Sequence, residues 1–158
     1  MEIEIGELLT EKNLTISCAE SCTGGLLTDK LTNVAGSSAY VKGAVVSYTN
    51  ETKMNALHVK EETLEKFSAV SRQTAQEMAA NVRQLLNTDI GVSVTGIAGP
   101  GGGTPDKPLG TVYIGISGLN GDKVQKFKFH GSRTEIKAKS VEAALVLLQV
   151  YLTSEQNF

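Results

Sequence analysis

Two short apolar runs, Leu14–Ala19 and Ile90–Ile97, each stop abruptly in a segment rich in glycine and hydroxyl groups. The first runs into Glu20-Ser21-Cys22-Thr23-Gly24-Gly25, the second into Ala98-Gly99-Pro100-Gly101-Gly102-Gly103-Thr104. Apolar runs of this length bounded by turn formers read as buried strands. After the first turn, Leu26, Leu27, Leu31 and Val34 recur at helical spacing, so the chain there passes from strand to helix. Strands buried on both faces need helices on both faces, which constrains the chain to an α/β arrangement.

The remaining pattern extends that arrangement. A helix is expected near residues 2–12, with Ile5, Leu8 and Leu9 on one face, and another from about Gly24 to Asn33. Ala39–Tyr48 reads as a strand, and Asn50 is expected to cap a short helix over Glu51–Leu57. Thr63–Phe67 predicts a further helical turn. Ser71–Leu86 is the clearest helix, capped by Ser71, with Ala75, Met78, Ala79, Val82, Leu85 and Leu86 as its stripe. Gly110–Ser117 and Lys123–Phe129 read as strands joined by a hairpin at Asn120-Gly121. Val124, Phe127 and Phe129 are assigned to one face of the second. A last helix spans about Arg133 to Leu152. The expected fold is a three-layer α/β sandwich on a mixed, mostly parallel sheet of about five strands, in a single domain over residues 1–158.

Composition excludes several function classes. The net charge is −2, without a long basic run, which argues against a nucleic-acid groove. Trp is absent and aromatics make up 5%, too few for a base-stacking platform. No apolar stretch is long enough to span a membrane, and Met1-Glu2-Ile3-Glu4 does not open like a signal peptide, so a cytoplasmic protein is expected. Cys18 and Cys22 do not make a zinc site between them, and His58 and His130 are distant in sequence. Free thiols are the expectation for a reducing compartment.

Four places can carry chemistry. Ser21 stands at a strand-to-helix junction, where it can be a helix cap or a nucleophile served by nearby backbone N–H groups. Cys22 is the competing nucleophile, although neither histidine stands in a context that would activate it. Tyr48 and Lys53 sit at the end of the second strand and in the helix after it. They read as a strand-end tyrosine with a solvated lysine, or as a proton-transfer pair, since lysine can replace histidine beside a serine. The loop after the third strand has neither the P-loop pattern nor a dinucleotide-binding turn. It is a flexible connection, or a place where backbone N–H groups approach a phosphate or carboxamide. Arg133 opens the last helix, where a cation is disfavoured unless it holds an anion, and so is either solvated or a phosphate ligand.

In order, AESCTGG, AGSSAYVKG, VSYTNETK, AVS, SVTGIAGPGGGTPDKPLGTVYIG and FHGSR resemble the CinA C-terminal domain family over about residues 5–150. The resemblance implies the stand-alone nicotinamide-mononucleotide deamidase form. That is an amidohydrolase yielding nicotinic acid mononucleotide and ammonia, with neither metal nor cofactor, acting on a small molecule and tending to homo-oligomers. It implies catalytic roles for Ser21, Tyr48 and Lys53, with Lys53 kept neutral by burial and by Tyr48. Substrate contacts are implied at Thr23, Gly24, Gly25, Gly96, Ile97, Ala98, Gly99, Gly101, Gly102 and Arg133, the oxyanion meeting N–H groups of residues 23–25 and of Gly96 or Gly99. The alternatives are a non-catalytic nucleotide- or partner-binding domain of the same fold, and an amidase for another carboxamide.

Overall fold

A computed structural model describes residues 1–154; the last four positions of the expected 1–158 unit lie outside the described residues. The elements follow in the order α1 (Glu2–Glu11), β1 (Ile16–Glu20), α2 (Leu26–Thr32), β2 (Val41–Val46), α3 (Asn50–Leu57), α4 (Glu61–Phe67), α5 (Arg72–Leu85), β3 (Ile90–Gly96), β4 (Thr111–Ser117), β5 (Lys123–Lys128) and α6 (Arg133–Thr153). A 3-10 turn, Ser37–Ala39, precedes β2 where an extended start was expected. The five strands form one mixed sheet in the order β2-β1-β3-β4-β5. β1 is parallel to β2 and β3, while β4 runs antiparallel to β3 and β5, so only β4 points against the rest.

The two faces of the sheet differ in the size of their side chains. Ile16 and Cys18 of β1, Ile90, Val92 and Val94 of β3, and Val112, Ile114 and Ile116 of β4 project to one face. There they meet Ile5 and Leu9 of α1, Leu27 and Leu31 of α2, and Ile136, Leu145 and Leu148 of α6 in one continuous core. The other face carries Ser17, Ala19, Gly91, Ser93 and Gly115, and α5 lies directly on it. A Cβ on Gly91 would stand 2.1 Å from the Ala79 carbonyl oxygen, and one on Gly115 2.8 Å from that of Ala75. Ser93 Oγ donates to the Ala75 carbonyl at 2.5 Å and Thr95 Oγ1 to Ala69 at 2.8 Å, so these hydroxyls bond the backbone resting on them.

Several boundaries differ from expectation. β1 begins later and ends one residue later, because Glu20 remains paired with Val46 and Val94. α2 starts only at Leu26, since Gly24 and Gly25 take positive φ of 60° and 107°. Thr49, not Asn50, caps α3: its backbone is extended and its side chain accepts from Thr52 N–H at 3.1 Å, while Asn50 is already helical. On β5, Phe127 and Phe129 stack and pack on the α6-side core, but Val124 pairs with Gly115 and so faces the α5 side. Residues three apart cannot share a face of a strand.

Candidate active site

The C-terminal ends of β1 and β3 lie side by side in the parallel part of the sheet, where ligands of open α/β sheets bind. Ser21 continues β1: its N–H donates to the Val94 carbonyl at 2.9 Å, and the neighbouring Ser47 N–H donates to Glu20 O at 2.8 Å. The chain after Ser47 turns into α3, and Lys53 lies on its buried side. Helical side chains lean toward the N-terminus, which carries the lysine back toward the strand ends. Lys53 Nζ donates to the Ser47 carbonyl at 2.7 Å and to Ser21 Oγ at 2.9 Å. Lys53 is 2% exposed and Ser21 8%. Burial lowers the lysine from its ordinary value to about 8, against a small opposing influence of Cys22.

Cys22 lies in the core beneath the turn, and burial pushes its thiol up to about 12. A thiol held protonated is a poor nucleophile. The side chain at the head of this turn belongs instead to Glu20. Its carboxylate accepts from the N–H groups of Gly25, Leu27 and Thr28 and from the hydroxyls of Thr23 and Thr28. Glu20 therefore occupies the start of α2, and the expected oxyanion donors change. The Gly25 N–H is taken by Glu20 and the Gly24 N–H by the Ser21 carbonyl, and Gly96 lies within β3. Among the described residues, the N–H groups of Cys22 and Thr23, and those of Ala98, Gly99, Gly101 and Gly102 opposite, donate to no acceptor.

A cavity of about 230 Å³ opens between these segments. Ser21 and Cys22 form one wall, residues 96–99 with Gly101 and Gly102 the other, and Tyr48 and Arg133 the rim. Thr23, Gly24 and Gly25 do not line it. Tyr48 is 55% exposed, and its hydroxyl accepts from Arg133 Nη2 rather than meeting Lys53. The low value of Lys53 is thus due to burial, not to Tyr48. Arg133 Nη1 also donates to the Gly99 carbonyl at 2.6 Å, so one guanidinium ties β2's end to the glycine loop across the mouth.

A model of the CinA C-terminal domain matches residues 1–152. The chain belongs to the CinA C-terminal domain family. A CinA-like protein of Sulfurihydrogenibium sp. is 48% identical over 154 residues, covering 98% of this chain and 38% of that one. This chain thus spans little more than a third of the curated relatives it matches. The crystal structure of competence damage-inducible protein A from Klebsiella pneumoniae superimposes with a TM-score of 0.94 at 35% identity, covering 98% of this chain and 96% of that one. That of the competence/damage inducible protein CihA from Agrobacterium tumefaciens gives 0.89 at 43% identity, over 95% and 96%.

Two features of this CinA domain escaped the sequence reading. One is Glu20, for which a signal existed: an acidic residue just ahead of a helix start is favoured by the helix dipole. The other is Lys107, whose Nζ donates to the Phe67 carbonyl at 2.6 Å and Ser68 Oγ at 2.7 Å. It pins the far arm of the glycine loop to the end of α4 across a separation of 40 residues, which no local pattern reports.

Proposed function

We propose that this chain hydrolyses the carboxamide of nicotinamide mononucleotide to nicotinic acid mononucleotide and ammonia. The observation that carries the reading is the buried contact of Lys53 Nζ with Ser21 Oγ at 2.9 Å, with the lysine held at about 8. An amine near that value is partly neutral at physiological pH and can take a proton from a hydroxyl. A purely binding domain has no use for it there.

In the proposed reaction Ser21 Oγ attacks the carboxamide carbon while Lys53 accepts the hydroxyl proton. The tetrahedral oxyanion meets the free N–H group of Cys22, which follows the nucleophile directly, or those of Ala98 and Gly99 opposite. Lys53 returns the proton to the departing nitrogen, and ammonia leaves an ester on Ser21. Water, deprotonated by the same amine, hydrolyses that ester and restores Ser21. Tyr48 and Arg133 bind and orient the substrate at the rim, Tyr48 standing outside the proton path. Ammonia release from nicotinamide mononucleotide, nicotinamide and nicotinamide riboside tests the reading. Release from the mononucleotide above the other two supports it; release from none overturns it.

A further inference from the structure

Two buried side-chain oxygens among the described residues have no hydrogen-bond partner: Tyr40 Oη, close against Gly6, and Ser47 Oγ. Buried hydroxyls are normally paired, so an unpaired one beside a reactive group points to a task. Ser47 is fully buried, and it stands next to the nucleophile. Glu20 and Val46 are in register in the parallel ladder, and the Ser47 N–H continues that ladder to the Glu20 carbonyl, so Ser47 is the neighbour of Ser21. Ala19 and Val45, two residues back along each strand, pack in one cluster with Leu57 of α3. Strand alternation puts the Ser21 and Ser47 side chains on that same face, where Lys53 arrives from α3.

Lys53 has the complementary deficit. As an ammonium it carries three N–H donors, and among the described residues it meets two acceptors, the Ser47 carbonyl and Ser21 Oγ. As the neutral base it has two N–H donors and one lone pair, and the lone pair has to face the Ser21 hydroxyl hydrogen. The Ser47 carbonyl takes one donor; the other needs an acceptor that is not Ser21. We propose that Ser47 is the positioning residue for Lys53, its hydroxyl turning about χ1 to accept the remaining N–H; this rests on the amidohydrolase reading above. Carbonyl and hydroxyl of one residue then hold the amine, and its third direction is left to Ser21. Once the Ser21 proton has moved to Nζ, the same two oxygens hold the ammonium, and the third N–H is the one delivered to the departing nitrogen. The charges around this group are few. Cys22 is the titratable group that acts on Lys53, while Glu20 is turned to α2, and Glu51 and His58 of α3 are exposed. On α5, which packs on α3, Glu77 accepts from Thr63, Arg72 donates to the Val124 carbonyl, and Arg83 acts on Tyr151.

The test compares the full chain with Ser47→Ala, Ser47→Thr and Ser47→Cys. Titration of Lys53 is followed without substrate by isotope-edited NMR of the lysine ε-methylene groups, its signal assigned by its loss in Lys53→Met. Ammonia release from nicotinamide mononucleotide is followed beside it as a function of pH. A hydrogen bond to a charged donor is worth more than one to a neutral donor, so Ser47→Ala is expected to lower the Lys53 titration by about half to one pH unit. The rising limb of kcat/KM moves down with it. With the amine less well aimed, kcat is expected to fall about tenfold to a hundredfold, and KM to stay within about twofold. Ser47→Thr keeps the hydroxyl and is expected to recover most of both effects; Ser47→Cys, with a weakly accepting sulfur, is not. An unchanged Lys53 titration in Ser47→Ala overturns the positioning role, whether turnover is kept or falls through packing alone. Recovery by Ser47→Cys equal to that by Ser47→Thr overturns it too. If the titration moves as expected but the wild type releases no ammonia, the Ser47–Lys53 contact stands and the reaction falls. Absence of both overturns both.

Discussion

Helices α2 and α6 begin close to the same cavity, α2 a few residues after Ser21 and α6 directly after Ser132, and the two serines are used in opposite ways. At α6, Ser132 is the cap: its Oγ accepts the Glu135 N–H at 3.3 Å, and the Glu135 carboxylate accepts the Ser132 N–H at 3.2 Å. Such a hydroxyl is spent on its own helix. At α2 the cap position falls to Gly25, which has no side chain to offer, and Glu20 reaches over from β1 to take three N–H groups and two hydroxyls. Ser21 is thereby relieved of capping, and its hydroxyl meets Lys53 instead. A serine next to a helix start becomes available for chemistry when another residue satisfies the helix.

The sharpest way to break this contrast is Ser21→Ala. If the hydroxyl has no capping duty, the variant loses only the hydrogen bond to Lys53, about 1 kcal/mol of unfolding free energy. Under the proposed reaction it loses at least about 10³-fold in kcat. Full activity would remove Ser21 as nucleophile, and a large loss of stability would make it a structural serine after all. Glu20→Ala is the converse. It strands five donors at a buried helix start, and a loss of about 3–5 kcal/mol is expected in denaturant unfolding. A change below about 1 kcal/mol would show that α2 is satisfied by other means.

Lys53 sharpens the contrast through pH. Its folded value of about 8 lies below the ordinary 10.5, because burial disfavours the ammonium. Below pH 8 the lysine is charged in both the folded and the unfolded chain, and folding bears the full cost of desolvating it, at most about 3 kcal/mol. Between about pH 8 and 10.5 the unfolded chain holds the proton more often than the folded one. The contribution of this group to stability therefore rises with pH across that window. Lys53→Met is expected to raise stability at pH 6–7 by about 1–2 kcal/mol, less than the full cost because two hydrogen bonds are lost. It abolishes the proposed activity. In the wild type, kcat/KM climbs as pH passes about 8; a flat profile from 6 to 9 would exclude Lys53 as the base.

The layered fold was legible in the sequence because periodicity reports burial. Ala75, Met78, Ala79 and Val82 of the α5 stripe and the apolar runs of β1 and β3 are buried where the pattern puts them, whereas Leu85, at the end of the helix, is exposed and Leu86 only half-buried. The end of β1 was not, because Glu20 is charged, and a pattern that tracks hydrophobicity stops before it. Only the five donors around it make its burial tolerable. Thr49 and Asn50 are both good caps, and the choice between them is made by where the backbone leaves the extended region. In the site, Ser21 and Lys53 were brought together by a family resemblance rather than by spacing, being 32 residues apart. The Tyr48–Arg133 contact spans 85 residues and has no local signature.

The smallest effect tests the other half of the contrast, the serine that is only a cap. Ser71 precedes α5 as Ser132 precedes α6, and its Oγ accepts the Thr74 N–H at 3.1 Å while donating to the Ser68 carbonyl at 3.0 Å. It is 4% exposed and does not line the Ser21 cavity. Ser71→Ala removes one acceptor from the first turn of α5 and is expected to cost about 1 kcal/mol in denaturant unfolding, with ammonia release unchanged. Ser71→Asp restores an acceptor and adds a charge favoured at a helix start, so it is expected to recover part of that loss. A serine whose removal moves stability but not turnover is the mirror image of Ser21. If Ser71→Ala altered turnover as strongly as stability, α5 would be transmitting its strain to the active site through the sheet. The division between capping serines and a chemically free one would then not hold.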